Sequence, residues 1–382
     1  MTDTPRRISI LLASYSVSGV PRNRLNLAHS IARRGYSVDF VLFAGALPAN
    51  ERDTLPLNVR VVEFHKQRVV AALPALVEYF RKERPEAVIA AEEHLNLVAV
   101  TALRISRIKA AISISFHVPS TLEASKPLWR KGRWVSLLGH WVYPRADVIV
   151  AISKDMGDTL AKVSRLPRDS IRVIHNPVVS DRLFIKARLS PGSMFEEVDA
   201  PIVLGVGSLD KRKGFLDLIE AFATLRVQRN ARLVILGEGP QRPELEARVR
   251  VLGLEDDVWL PGAVDNPYAW MARAQLFVLA SYFEGLPTVL IEALACGCSV
   301  VSTDCPTGPS EILEHGRHGE LVPMRDPEAL AAAMARTLDN PLDSETLKTR
   351  AMDFHVDRIA DEYLDALGFG ADTTRKTSVE TP

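Results

Sequence analysis

Two successive stretches of this chain repeat one alternation of short apolar runs with helical patterns. The runs of the first stretch are ISILLAS, SVDFVLFA, VRVVEF, AVIAAE, AAISISFH and DVIVAIS, and segments such as RNRLNLAHSIARRG separate them. Runs that are apolar at nearly every position predict strands buried on both faces, as in parallel sheets covered by helices. The first stretch therefore predicts a doubly wound α/β domain.

The alternation starts again after a break at ARLSPGSMFEEVDAP, where proline, glycine and acidic residues interrupt it. The runs PIVLGVGS, ARLVILGEG, DVWLPGA, QLFVLAS and SVVSTD predict a second parallel sheet. We place the first domain at residues 1–186, the second at 187–350, a C-terminal helix at 351–369 and a disordered tail at 370–382. The predicted fold class is α/β, with two Rossmann-like doubly wound parallel-sheet domains facing a cleft.

Composition restricts the class of protein. Apolar residues make up 47% and charged residues 25% of the 382 positions, an ordinary globular composition. No apolar run approaches membrane-spanning length and no secretory pattern is present, which favours a cytoplasmic protein. The odd set Cys296, Cys298 and Cys305 predicts reduced thiols, and its spacing to His315 and His318 matches no zinc motif, so we predict no metal site.

Charge is distributed unevenly along the chain. Residues 1–185 hold 27 Lys and Arg against 16 Asp and Glu, a net charge of +11, and residues 186–382 carry −11. The segment WRKGRWVSLLGHWVY sets Trp129, Trp134 and Trp141 among basic residues, as at bilayer interfaces, although the same face could belong to a core. We expect contact with an anionic membrane or a phosphorylated acceptor, with attraction between the domains as the alternative. No motif for nucleic-acid recognition appears, so we expect no nucleic-acid partner.

The stretch EGLPTVLIEALACG sets two acids, Glu284 and Glu292, around a proline that suits the first turn of a helix. Backbone N–H groups and the helix dipole attract anions at such a start. We therefore predict a diphosphate site on the backbone at Gly285, Leu286, Pro287 and Thr288.

A cationic turn and a glycine turn accompany this stretch. In GSLDKRKGFLDLIEAF, the position of Lys213 at a strand-to-helix junction favours a contact with diphosphate over a solvated turn. The GEGP turn sets Gly237 and Gly239 where backbone can approach a ligand closely, and an ordinary strand-to-helix turn is the alternative.

In this order the motifs resemble the retaining nucleotide-sugar glycosyltransferases of GT-B fold, the group 1 or family four class. GSLDKRKGFLDLIEAF, the E-x7-E pair and CGCSVVSTDCPTGPSEILEHGRHGELVP carry the resemblance, which extends over nearly the whole chain. It implies that Glu292 binds the ribose hydroxyls, that Glu284 lies beside the transferred sugar, and that Lys213 neutralises the diphosphate. It also implies that the final helix crosses back to the first domain.

The resemblance extends to other positions around the nucleotide. Ser208 stands where family members usually carry an arginine, so either Arg212 or Lys211 supplies that charge or the diphosphate is held more weakly. The GEGP glycines are implied to lie near the nucleotide. The segment PGAVDNPYAWM resembles the strip that reads the base, which implies a uracil near Val264.

Two positions in the first half complete the resemblance. The turn SVSGVPRN resembles the paired-glycine loop of the family, with Ser18 in place of its first glycine and Gly19 as the second. His117, at the end of AAISISFH, resembles the histidine that family members present near the donor sugar, although a lone strand-end histidine is often structural.

We therefore expect a metal-independent retaining glycosyltransferase with Glu284, Lys213 and His117 as catalytic residues. It would move a hexose or N-acetylhexosamine from a UDP-sugar to a saccharide or polyprenyl-diphosphate-linked acceptor, in cell-surface glycan biosynthesis at the inner face of the plasma membrane. UDP-sugar is a substrate, and no cofactor is expected. Glu284 could act as a nucleophile, or the acceptor could attack on the same face, which the resemblance favours. The alternatives are a nucleotide-sugar epimerase of the same fold and a non-catalytic sugar-nucleotide binding module.

Overall fold

The computed structural model describes residues 6–15, 19–66, 68–117, 139, 141–164, 166–192 and 200–370. The chain divides into two compact units, each with its own sheet and core. The first comprises Met1–Pro177 together with Val356–Pro382, and the second comprises Val178–His355.

The first unit is built on a seven-stranded parallel sheet with the order β3-β2-β1-β4-β5-β6-β7. Its strands are β1 (Arg7–Ser14), β2 (Ser37–Ala44), β3 (Val59–Glu63), β4 (Ala87–Ala91), β5 (Ala111–Phe116), β6 (Val148–Ala151) and β7 (Ile171–Val173). Its helices up to this point are α1 (Gly19–Arg33), α2 (Ala49–Arg52), α3 (Leu73–Glu83), α4 (Glu93–Ser106) and α5 (Lys154–Ser164). Short 3₁₀ turns occupy Val69–Ala72, Tyr143–Arg145 and Arg168–Ser170.

The second unit carries a six-stranded parallel sheet with the order β10-β9-β8-β11-β12-β13. Its strands are β8 (Ile202–Val206), β9 (Arg232–Leu236), β10 (Val258–Gly262), β11 (Leu276–Leu279), β12 (Val300–Thr303) and β13 (Glu320–Val322). Its helices are α6 (Asp181–Ala187), α7 (Phe215–Gln228), α8 (Arg242–Val251), α9 (Pro267–Met271), α10 (Thr288–Ala295), α11 (Pro309–Ile312), α12 (Pro327–Asp339) and α13 (Ser344–Ala351). Short 3₁₀ turns occupy Lys211–Lys213 and Met352–Phe354.

Burial of the strands confirms the prediction of two doubly wound α/β sheets. Every residue of β4, β6, β11 and β12 is buried, as expected for strands that helices cover on both faces. In the first sheet the side chain of Ile10 on β1 lies in register with Phe40 on β2 and with Ile89 on β4. The prediction missed β7 and β13, which have only three residues each and too few apolar positions for a recognisable run.

The division between the units lies earlier in the chain than the predicted boundary at residues 186 and 187. Helix α6 belongs to the second unit, where it packs against α9. The side-chain amide of Asn266 donates to the carbonyl of Lys186 at 2.9 Å, and Arg273 donates to the carbonyl of Leu189 at 2.8 Å. The break in the sequence pattern therefore lies within the second unit, and its residues 193–199 lie outside the described ranges.

The chain returns to the first unit through the last helix, α14 (Val356–Ala366), which packs against α1. Ile359, Tyr363 and Leu364 of α14 are buried in the same core as Ile31 of α1. This helix is shorter than the predicted span of 351–369, because residues 344–355 form α13 and a 3₁₀ turn of the second unit. The predicted disordered tail lies outside the described residues from position 371 onward.

Two features bear on the membrane prediction. Among the helices in the described ranges, none is long and apolar enough to cross a bilayer. The tryptophan-rich segment covers residues 129–143, and its residues 129–138 and 140 lie outside the described ranges. Trp141, at its end, is 73% exposed.

An ionic cluster fixes the first turn of α14 on α1. The Asp357 carboxylate accepts hydrogen bonds from Ser30 Oγ at 2.5 Å, from Arg33 at 2.9 Å and from Arg34 at 3.0 Å. Burial opposes ionisation of Asp357, but these hydrogen bonds outweigh it and hold the pKa of the carboxyl well below its ordinary value of 3.8. The ionised form of Asp357 therefore stabilises the docked helix.

We expect Asp357→Asn to lower the urea midpoint of unfolding near neutral pH and to change how that midpoint depends on pH. Because the folded-state pKa lies below the unfolded-state value, the carboxylate stabilises the fold above about pH 4 and loses that contribution as the pH falls further. The difference between wild type and variant should therefore shrink below about pH 4. Asp361→Asn, which removes a more exposed pair with Arg34, is the control and should change the midpoint less. A constant difference at all pH values would contradict the prediction.

Candidate functional site

The second sheet has a switch point between β8 and β11. From β8 the chain runs outward through β9 and β10, and then returns to the other side of β8 with β11. In open parallel sheets, such a reversal leaves a crevice outside the carboxyl ends of the two strands, where ligands bind. The predicted residues Lys213 and Glu284 follow these two strands.

The structure brings Lys213 and Glu284 into direct contact. Lys213 Nζ donates to Glu284 Oε1 at 2.6 Å, and the two side chains are only 12% and 8% exposed. Asp210 caps the short turn that carries the lysine, because its carboxylate accepts the backbone N–H of Arg212 at 3.0 Å. Lys213 is therefore not part of a solvated turn, although Lys211 and Arg212 are exposed.

Both carboxylate oxygens of Glu284 have donors. Ser281 Oγ donates to Oε1 at 2.7 Å, and an Arg212 guanidinium nitrogen lies 3.3 Å from Oε2. The same guanidinium group donates to the carbonyl of Phe283 at 3.3 Å. Arg212 thus brings a second cation to Glu284, and its role in place of the arginine expected at Ser208 stays a prediction.

Close backbone packing holds the cationic turn against β11. Gly214 has a φ of +64°, and a Cβ there would lie 2.0 Å from the carbonyl oxygen of Ala280. Only glycine fits both the left-handed conformation and the contact. The residue after Lys213 therefore fixes how closely the turn approaches the strand that leads to Glu284.

The loop after β12 fixes the main chain at Glu284. Thr307 Oγ1 donates a hydrogen bond to the carbonyl of Glu284, and the N–H of Glu284 donates to the carbonyl of Pro306 at 3.4 Å. A Cβ at Gly308, whose φ is +97°, would lie 2.6 Å from Pro287 Cδ. This loop therefore supports both the acid and the start of α10.

Helix α10 begins one residue later than predicted. Pro287 is the residue before the helix, with ψ at 97°, and the first helical residue is Thr288. The N–H groups of Thr288 and Val289 have no acceptor within the helix, as in any first turn, which keeps this start suitable for an anion. The diphosphate role of Gly285, Leu286, Pro287 and Thr288 stays a prediction.

Glu292, the second acid of the pair, lies inside α10 and is buried. The hydroxyl of Tyr268 on α9 donates to its Oε1 at 3.3 Å. The two acids therefore have different surroundings: Glu284 contacts cations and Glu292 contacts a phenol. The contact of Glu292 with a ribose stays a prediction.

The glycines of the GEGP turn are required by backbone packing. A Cβ at Gly237, whose φ is +144°, would lie 1.8 Å from the carbonyl oxygen of Gly207, and one at Gly239 would lie 2.4 Å from that of Leu209. This packing accounts for both glycines without a ligand, so their contact with a nucleotide stays a prediction.

Two other predicted residues lie on neighbouring loops. Ser208 is exposed and donates to the Asp210 carboxylate at 2.6 Å. Val264 is half-buried in the loop between β10 and α9. Their predicted contacts with diphosphate and base are untested.

In the first unit, His117 directly follows β5 and Gly19 begins α1. Ser18, the other half of the predicted glycine loop, lies outside the described residues. His117 is buried, and its Nε2 lies 3.0 Å from a guanidinium nitrogen of Arg24. Burial, and then the charge of Arg24, hold the pKa of His117 well below its ordinary value of 6.5, so the ring is neutral.

Sequence reasoning missed Arg24. Its side chain is 1% exposed and reaches Ser115 Oγ at 2.6 Å as well as His117. The sequence did contain a signal for burial of Arg24. Leu27, Ala28 and Ile31 follow it at i+3, i+4 and i+7, so Arg24 lies on the apolar face of the helix.

Sequence reasoning also missed Glu92, the residue after β4 at the switch point of the first sheet. Its φ of +82° is unusual for a residue with a side chain. Burial raises the pKa of Glu92, although the N–H of Ala13 and the charge of Arg24 oppose this. Its position directly after a fully apolar strand was the available signal.

The sequence analysis predicted reduced thiols and no metal site for a group of residues in the second unit. Cys296, Cys298 and Cys305 are unbridged, and the last two are buried. Burial is the main cause that raises the pKa of Cys305 to about 12. Within the described ranges, no three His, Cys, Asp or Glu side chains are close enough together to hold a metal ion.

Comparisons with known proteins identify the family of the chain. The family described as Glycosyltransferase Family 4 matches residues 17–182, and the family described as Glycosyl transferases group 1 matches residues 200–340. The lipopolysaccharide core biosynthesis glycosyltransferase LpsD of Rhizobium meliloti is 31% identical over 288 residues, which are 72% of this chain and 76% of LpsD.

A second relative comes from Campylobacter jejuni. It is the N-acetylgalactosamine-N,N'-diacetylbacillosaminyl-diphospho-undecaprenol 4-alpha-N-acetylgalactosaminyltransferase, 33% identical over 248 residues. The match covers 63% of this chain and 66% of that enzyme.

Solved structures share the fold at low sequence identity. A glycosyltransferase from Rickettsia africae superposes with a TM-score of 0.79 at 17% identity, covering 95% of this chain and 98% of its own. Anabaena HepE, in complex with UDP and glucose, superposes with a TM-score of 0.75 at 19% identity, covering 95% and 99%. The chain therefore belongs to the group 1 glycosyltransferases of family four, and its two parallel-sheet units are the Rossmann-like domains of the GT-B fold.

Proposed function

We propose that this glycosyltransferase transfers a hexose or N-acetylhexosamine from a UDP-sugar, with retention and without a metal ion, to a hydroxyl of a saccharide or polyprenyl-diphosphate-linked acceptor. The observation that carries the proposal is the contact of Lys213 and Arg212 with Glu284 at the β8/β11 switch point. It combines two cations, a positioned carboxylate and a helix start in one place.

The charges suit a nucleotide diphosphate as leaving group. As the bond to the sugar breaks, negative charge grows on the diphosphate, and cations already fixed nearby stabilise that charge without reorganising. Lys213 is well placed for this role because it is mostly buried, where an electrostatic interaction is stronger than in water. Two cations and the start of α10 supply positive potential from the protein itself, which supports a reaction without a metal ion.

The surroundings of Glu284 support attack on the same face over a double displacement. A carboxylate attacks through oxygen electron density, and here Lys213 and Ser281 donate to Oε1 while Arg212 donates to Oε2. Such donors stabilise negative charge on the carboxylate and weaken it as a nucleophile. We assign Glu284 to positioning the sugar and stabilising positive charge at the anomeric carbon.

The acceptor proposal follows from the relatives. The R. meliloti protein is named for lipopolysaccharide core biosynthesis, and the C. jejuni enzyme for an undecaprenol diphosphate saccharide. A lipid-linked acceptor fits the net charge of +11 on residues 1–185 and the exposed Trp141, since both favour an anionic membrane surface. We therefore place the protein at the inner face of the plasma membrane, bound peripherally.

The donor proposal predicts UDP release that requires Lys213 but no divalent ion. In buffer with chelator, one UDP-sugar of a panel should release UDP with wild-type protein, more so with a polyprenyl-linked saccharide. Lys213→Met and Glu284→Gln should each lower kcat about 100-fold or more while UDP binding persists. Lys211→Met, which neutralises an exposed lysine of the same turn, is the matched control and should retain activity.

Other outcomes would contradict parts of the proposal. UDP release by Lys213→Met at the wild-type rate would show that the lysine takes no part in catalysis. A strict need for a divalent ion would overturn metal independence. An epimerised nucleotide sugar formed without acceptor would indicate an epimerase. Binding of UDP without turnover of any sugar, with or without acceptor, would favour a binding module.

The same-face proposal predicts retention without a glycosyl-enzyme. The product should keep the anomeric configuration of the donor, which proton coupling constants in its NMR spectrum report. Mass spectrometry of the quenched reaction should find only the unmodified chain during turnover. A mass increase of one sugar unit mapped to Glu284 would establish the double displacement instead.

The membrane proposal predicts that the full chain floats with vesicles containing anionic phospholipid and stays behind with purely zwitterionic vesicles. Binding should weaken as salt is raised, because the interaction between basic residues and lipid is screened. Trp141→Ala should reduce flotation, whereas Val227→Ala, at an exposed apolar residue of the second unit, should not. Equal binding to both vesicle types would refute an electrostatic contact.

A further inference from the structure

Arg24 is a buried cation whose charge no carboxylate in the described part of the chain contacts directly. Its side chain is 1% exposed, and among the described residues it forms no ion pair. The positive charge of Arg24 acts on Glu92 electrostatically and opposes the rise in the pKa of that carboxyl. Burying a guanidinium group without a paired carboxylate is costly, so the position calls for a physical reason.

The hydrogen bonds of Arg24 determine which ring nitrogen of His117 accepts. A guanidinium group can only donate, so its contact of 3.0 Å with His117 Nε2 requires Nε2 to be the acceptor. Ser115 does not compete for this role, because its hydroxyl donates to the carbonyl of Ala90 at 3.1 Å and accepts from Arg24 at 2.6 Å. The proton of the neutral ring is therefore on Nδ1.

The Nδ1 atom of His117 is buried and has no hydrogen-bond partner in the described part of the chain. His117 lies at the carboxyl end of β5, next to the switch point of the first sheet, where ligands bind in this class of sheet. Burial and the charge of Arg24 keep the ring neutral, as described above. The ring thus carries a fixed N–H donor to which the described residues offer no oxygen acceptor.

Tyr363 on α14 holds Arg24 in place. Its hydroxyl accepts from another guanidinium nitrogen at 3.1 Å, and its ring centre lies 5.4 Å from the guanidinium carbon. Tyr363 is itself buried, in a helix that Asp357 and Asp361 attach to Arg34. A line of contacts therefore runs from the last helix of the chain through Arg24 to His117.

We propose that Arg24 is a positioning residue: supported by Tyr363, it keeps His117 as the Nδ1-protonated tautomer, whose N–H donates to an oxygen of the carbohydrate substrate. The statement that the acceptor oxygen belongs to a carbohydrate rests on the function proposed above, whereas the assignment of the tautomer does not. Arg24 acts through the histidine and does not itself contact the substrate.

The tautomer is tested first, on the full chain without substrate. In protein labelled with ¹⁵N-histidine, long-range ¹⁵N–¹H correlations distinguish the two neutral tautomers from the cation, and His117→Asn identifies the signals of this residue among the 9 histidines. We expect the Nδ1–H form in wild type. The Nε2–H form or the cation near neutral pH would overturn the proposal, whether or not any variant folds.

Variants then test the cause. Arg24→Met should convert His117 to the Nε2–H form or a mixture, and Tyr363→Phe should do so partially. Arg34→Met is the control, because it loosens α14 without touching His117 and should leave the tautomer unchanged. A tautomer that persists in Arg24→Met, or changes equally in Arg34→Met, would refute the positioning role.

Kinetics test the link to the sugar. With the donor identified by UDP release, Arg24→Met should lower kcat about 10- to 100-fold, as loss of groups that orient a functional histidine does. In a His117→Ala background the same substitution should have little further effect, because the two residues act as a unit. His117→Asn, whose amide nitrogen replaces Nδ1, should retain more activity than His117→Gln, whose amide nitrogen replaces Nε2.

The outcomes separate the two proposals. Additive losses in the double variant, or a better His117→Gln than His117→Asn, would refute the role of the Nδ1 donor while the transferase function stands. If wild type transfers no sugar but shows the Nδ1–H tautomer lost in Arg24→Met, the function fails and the positioning of His117 by Arg24 is upheld.

Discussion

Burial of both faces of the two parallel sheets is the constraint on which the rest of this protein depends. Strands such as β4 and β12 are buried throughout and contain no charged residue, so the charged groups nearest to them lie beyond the strand ends or on the covering helices. Because all strands of a sheet point the same way, their carboxyl ends meet along one edge. Lys213 and Glu284, 71 residues apart in sequence, come together there because β8 and β11 are neighbours.

The same constraint explains what the sequence predicted well and what it did not. Long apolar runs indicated the doubly wound sheets. The strand-to-helix position of Lys213, and the family resemblance at Glu284 and His117, indicated site candidates whose roles stay predictions. Strands β7 and β13 were missed because three residues carry no recognisable pattern. The division between the units lies earlier than predicted because the break in composition falls inside the second unit, whereas the units are defined by packing, such as that of α6 on α9.

The partners of the site residues lay beyond the reach of sequence reasoning for a different reason. The contact between Arg24 and Tyr363 joins positions 339 apart, and nothing in either local segment specifies the other. Arg24 also conflicts with the usual rule for its position, because an arginine on the apolar face of a helix is normally taken as an interruption of that face. The hydrogen bond between two such residues becomes visible only when both have been placed in space.

The discontinuity of the first unit has a consequence for how the protein is made. The second unit is one continuous segment, and its two ends lie side by side, since the N–H of Val178 donates to the carbonyl of Phe354 at 3.1 Å. It can fold as soon as it leaves the ribosome. The first unit, although it is synthesised first, waits for α14, whose Ile359, Tyr363 and Leu364 complete its core. Until α14 has been synthesised, the nascent chain therefore presents an uncovered apolar surface beside α1.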